Sequence, residues 1–147
     1  AYRKIMILIL IIIVQTLIDS SDGYQKATEV AERDVFKNFF TQRAAARRAM
    51  AAEVKSEIRQ LGGKPDDEGS ILAKMHRMFL TISAAVQGGD DAAIKAVDTG
   101  EEYLRDQIEK AMKSDDLGLS EKAMLGNFQG ELRADERLID YLEEAAD

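Results

Sequence analysis

A chain of 147 residues with no cysteine, one proline and a single histidine is long enough for one domain, burying roughly 68–70% of the surface that its unfolded form exposes. The missing cysteines exclude disulfides, zinc fingers, iron–sulfur clusters and thiol catalysis. A net charge of -7 leaves no basic face of the kind that nucleic-acid phosphates require; the one basic concentration, Arg43, Arg47 and Arg48, reads as the mixed surface and core charges of a single helix.

In chain order, the first feature is an unbroken apolar run, Ile5 to Val14, behind Arg3 and Lys4. That is the outline of a signal peptide, but Gln15-Thr16-Leu17-Ile18-Asp19 offers no small-x-small cleavage site. Ten helical residues span about 15 Å against a hydrocarbon core of about 30 Å, so the run is too short to cross a bilayer by itself. Three readings stand: a helix buried by the bundle and a partner subunit, a membrane-surface anchor, or residues that differ from the native gene. Residues 1–147 read as one domain, with 1–14 as its anomalous start.

Helical periodicity continues through every later segment, and no strand-like alternation of useful length occurs. A first helix is expected from about 4 to 31, with Val14, Leu17, Ile18, Ser21, Tyr24 and Thr28 on its inner stripe. Asp34 is placed to cap a second, carrying Phe36, Phe40, Met50, Val54, Ile58 and Leu61, which Gly62-Gly63 and Pro65 end. A polar loop from Lys64 to Gly69 follows. Ser70 then caps a short helix over 71–87, which Gly88-Gly89 breaks. Asp90 is expected to cap the next helix (Ile94, Val97, Glu101, Leu104, Ile108, Ala111). After a turn at Ser114–Gly118, Ser120 caps the last helix (Met124, Phe128, Leu132, Asp135, Ile139, Leu142). The fold expected is all-α: a ferritin-like four-helix bundle of two helix pairs, with a short extra helix in the crossover.

Five stretches carry a family resemblance from about Gln15 to Ala146. They are Leu17-Ile18-Asp19-Ser20-Ser21-Asp22-Gly23-Tyr24, Leu61-Gly62-Gly63-Lys64-Pro65, Leu72-Ala73-Lys74-Met75-His76-Arg77, Gly88-Gly89-Asp90-Asp91 and Gly100-Glu101-Glu102. In their order and spacing they resemble a bacterial family of ferritin-like proteins, domain of unknown function 2383. The first fourteen residues depart from it, since the family usually has an amphipathic helix there. The resemblance implies a dimeric, cytoplasmic bundle with no assigned activity, some of whose relatives are linked to stress responses.

Charged residues fall on the inner stripes. Counting 1.5 Å per residue from each turn puts Asp22, Arg43, Glu101 and Glu131 with Asp135 at one height, forming a buried polar layer. Such a layer could bind iron, manganese or calcium through Asp22, Glu101, Glu131 and Asp135. Di-iron bundles, however, take a Glu-x-x-His motif from each of two helices, and this chain has only His76. Glu131-Leu132-Arg133-Ala134 has alanine at the histidine position, and Arg43 brings a fixed positive charge. The expectation is that Arg43 stands in for the metal and compensates the carboxylates, so that no metal site and no cofactor are assigned. His76 is expected to have a packing role, and Tyr24 and Tyr103 to lie near the layer. No catalytic residues are identifiable. The function expected is a non-enzymatic structural or interaction module, homodimeric through an apolar helix face. The alternatives are a carboxylate-ligated iron or manganese redox or storage protein, and a module bound to membranes through its apolar start.

Overall fold

Where each helix stops is decided locally, and these ends set the topology. The computed structural model describes residues 2–65 and 89–146. Among them the regular elements are four helices: α1 (Tyr2–Val30), α2 (Asp34–Gln60), α3 (Asp90–Met112) and α4 (Leu119–Ala146). The helix expected over 71–87, its Ser70 cap and His76 lie outside the described residues. α2 ends as its glycines dictate. Gly62 takes φ 88°, its N–H bonds Arg59 O at 3.0 Å, and the Gly63 N–H bonds Ile58 O at 2.9 Å, a full Schellman closure. Gly62→Ala should therefore lower stability by about 1 kcal/mol, read from the shift of a chemical-denaturation midpoint.

The N-termini correct the expected caps. Asp34 is the first helical residue rather than the cap; Arg33 holds that position and makes no side-chain cap bond. Asp90 does not cap its own helix either, which starts from Gly89 at φ 92°. Its carboxylate instead accepts from the backbone N–H of Glu32 (2.7 Å) and of Arg33 (3.3 Å) and from Arg33 Nε (3.2 Å). Partial burial works against its charge, but these donors hold the Asp90 carboxyl below its ordinary value. Asp90 so pins the start of α3 to the α1–α2 corner. Ser120 is exposed, and α4 is capped by Glu121, which accepts the Gly118 N–H at 2.8 Å from the third helical position.

At the other end of the bundle, the close of α2 meets the start of α1: a Cβ on Gly63 would come within 2.9 Å of Ile7 Cγ2. Pro65 and Gly89 therefore lie at opposite ends, α2 runs parallel to α3, and α1 and α4 run the other way. α1 packs against α2 and α3, and α4 against α3 and α2. The result is an all-α four-helix bundle.

Two apolar clusters fill it. One joins Leu10, Ile11, Ile13, Val14 and Leu17 of α1 to Met50, Val54 and Ile58 of α2, Leu104 and Ile108 of α3, and Leu125, Phe128 and Leu132 of α4. The other is built on Tyr24, Phe36, Phe39, Phe40, Ile94 and Ile139. By length and composition α1 could cross a membrane. Four residues of its apolar start, Leu10, Ile11, Ile13 and Val14, are nevertheless core, while Ile5 and Leu8 are exposed at 43% and 57%.

Candidate functional site

Between the two clusters the stripes turn polar, and all four helices contribute. The centre is Arg47 of α2, fully buried. Its Nε donates to Glu101 Oε1 at 3.0 Å and its Nη2 to Glu101 Oε2 at 2.8 Å, a two-pronged grip across to α3. Nη2 also donates to Asp135 Oδ2 of α4 at 2.7 Å, and Nη1 lies 3.9 Å from Met50 Sδ. Arg43, one turn earlier, reaches the remaining oxygen, Asp135 Oδ1, at 2.6 Å. From α1, Ser20 Oγ lies 3.4 Å from Glu101 Oε1, and the guanidinium of Arg47 sits 5.7 Å from the centre of the Tyr24 ring. Two arginines thus face two carboxylates, and all four carboxylate oxygens accept from a guanidinium.

The electrostatics follow from that geometry. Burial works against the charge of Arg47, but its surroundings, Glu101 foremost and Asp135 with it, together outweigh burial and keep the guanidinium firmly protonated. The Tyr24 hydroxyl is buried beside Glu101 without a hydrogen bond of good geometry. Burial, then the Glu101 charge, push it well above the usual phenol range. A void of ≈10 Å³ against Tyr24, lined also by Ser20, Gly23, Val97 and Gly100, has room for about one water and for nothing larger.

The residues singled out from the sequence divide. Glu101 and Asp135 are buried at the centre, and Arg43 is at its edge with a side chain 21% exposed. Asp22 and Glu131 are exposed and do not belong to a buried layer. Asp22 instead faces Arg48: its partial burial raises its carboxyl above the ordinary value and the Arg48 charge partly offsets this. The heights are right, but each residue turns a helix by about 100°, so Asp22 and Glu131 point away from the faces that Ser21 and Leu132 bury. Ala134 is also exposed. Tyr24 joins the cluster, whereas Tyr103 lies half-buried near Asp19. Arg47 is the residue that the height argument passed over. Its signal was phase: 40, 44, 47, 51, 54 and 58 make a continuous stripe at spacings of three and four, and Arg43 falls beside it.

Glu101 and Asp135 do not suit a metal ion here, because the guanidinium of Arg47 occupies the space between them and holds three of their four oxygens. Among the described residues, no three acidic or histidine side chains converge to hold a cation.

A family model for a domain of unknown function (DUF2383) matches residues 6–114. The chain belongs to this family. The match begins inside the apolar run, so most of Ile5–Val14 lies within the DUF2383 region rather than before it, and it ends at the α3–α4 turn. Arg43, Arg47 and Glu101 fall inside the DUF2383 match and Asp135 beyond it. No curated protein and no solved structure matches the chain.

A second titratable group lies between α3 and α4. Glu143, with Asp140 on its own helix, faces Asp98, and Lys95 stands nearby. Partial burial and a hydrogen bond shared with Asp98 raise its carboxyl from 4.5 to about 7. The folded state therefore holds this proton more tightly than the unfolded chain does, and the contribution to stability is full below pH 4.5 and lost as pH rises toward 7. Denaturation midpoints of the wild type and Glu143→Gln, compared between about pH 5 and pH 8, should separate as pH rises, with the glutamine variant losing less.

Proposed function

We propose that this DUF2383 protein is a ferritin-like bundle that works as a non-enzymatic interaction module. The observation that carries this reading is Arg47. At the height where a bundle of this kind would hold metal, its side chain bridges Glu101 and Asp135 and leaves no room for a substrate. The topology supports it, with two antiparallel helix pairs joined by one long connection.

Elemental analysis of protein purified without chelator tests the central claim. Iron and manganese should be far below one per chain. Stoichiometric metal that disappears in Glu101→Ala would overturn the proposal and favour a carboxylate-ligated redox or storage protein. The partner proposed is a second copy, meeting the apolar face of α1 at Ile5, Leu8 and the half-buried Ile12. Light scattering should show a dimer that Leu8→Glu dissociates. A membrane surface would meet the same face, and flotation of the wild type with liposomes, abolished in Leu8→Glu, would replace the dimer with that reading. Removing residues 1–14 is not a usable control, because it deletes Leu10, Ile13 and Val14 from the core.

A further inference from the structure

The groove between α3 and α4 holds charge that no described residue satisfies. Its volume is ≈330 Å³, and it is lined by Arg105, Glu109, Gln129, Leu132 and Arg133. Glu109 is paired outward with Lys113 at 3.2 Å, and the carboxylate that balances Arg105 is Glu136, 3.3 Å from its Nη2. Once these pairs are formed, one positive charge is left, that of Arg133, for which no ion pair occurs among the described residues. Arg105 Nη1 is moreover buried without a hydrogen-bond acceptor among them. An unmet buried donor on a cation is costly, and a second guanidinium in the same groove makes the cost harder to escape.

We propose that this groove binds a small oxyanion, a carboxylate or phosphate group held between Arg105 and Arg133. Guanidinium groups present paired N–H donors that match both kinds of group. The amide of Gln129 adds a further donor, and Leu132 supplies an apolar wall for the carbon part of the ligand. The volume is at the small end of ligand sites, which limits the ligand to a compact molecule. With the chain at -7, long-range attraction does not assist capture, so binding depends on local geometry. The inference goes beyond the interaction module proposed above and does not depend on it, since no residue of the groove belongs to the Arg47 cluster.

Titration of the full chain with inorganic phosphate and, separately, with succinate, at matched ionic strength and followed by calorimetry, tests it. At least one should bind saturably with a Kd of about 1 mM or below. The stronger of the two identifies the ligand as phosphorylated or as a carboxylate. Arg133→Gln should weaken binding at least tenfold and Arg133→Lys by less. Arg137→Gln, which removes an exposed arginine outside the groove, should leave it unchanged. Arg133 is exposed, so these variants should keep the wild-type melting profile. Saturation by neither anion, or equal loss in Arg137→Gln and Arg133→Gln, would overturn the proposal.

Discussion

Arg47→Ala should cost about 3–5 kcal/mol of folding stability, the largest effect of any single polar substitution among the described residues. The cost comes from what the substitution strands rather than from the attraction it removes. Glu101 and Asp135 are only 1% and 2% exposed, and three of their four oxygens take donors from this one side chain. Without it, each carboxylate is left charged in a site that water barely reaches, or must take up a proton. Arg43 was expected from its height to have this role, but its single bond to Asp135 and its access to solvent imply a smaller loss, about 1–2 kcal/mol. Urea denaturation of both variants, with the double mutant to measure their coupling through Asp135, decides the order. A loss below about 1 kcal/mol in Arg47→Ala would mean that the cluster is not desolvated as described. Replacing the three buried members together (Arg47→Met, Glu101→Leu, Asp135→Leu) should leave stability near or above the wild-type value, since well-packed apolar groups avoid the desolvation of three charges. The stability of this bundle rests mainly on the two apolar clusters on either side.

Leu10→Ala should cost about 2–5 kcal/mol, while Leu8→Ala should stay within about 0.5 kcal/mol, both compared at protein concentrations low enough to dissociate the proposed dimer. Leu10 is fully buried, in the cluster that takes in Val54, Ile108 and Leu125, so its truncation leaves a cavity among residues of several helices. Leu8 is 57% exposed and leaves none. Thermal or urea denaturation of the two variants distinguishes a core helix from a detachable anchor. In an anchor, both substitutions would be silent for folding.

That contrast shows where the sequence stopped. An apolar run of ten residues has no periodicity, because every position is apolar, and so it carries no mark of which side faces the core. In isolation such a run is compatible with burial, membrane attachment and foreign sequence. Its amphipathicity is imposed by its neighbours: α2, α3 and α4 cover Leu10, Ile13 and Val14 and leave Ile5 and Leu8 uncovered. The helix caps depend on tertiary neighbours for a related reason. Asp90 has the right residue type and position to cap α3, yet its carboxylate is taken by the donors of Glu32 and Arg33, which are distant in sequence and adjacent only in the bundle.

The sequence by itself determined the four helices, the glycine stop at Gly62-Gly63, the all-α class and the family, because each rests on local spacing, backbone freedom or the order of short motifs. It also showed that charge lies on the inner stripes at Glu101 and Asp135. Only the tertiary structure decided which arginine meets that charge. Height along a helix follows from counting residues, but azimuth depends on how four helices rotate to bury their stripes. Those rotations brought Arg47 to the centre, set Arg43 at the edge, and turned Asp22 and Glu131 out to water.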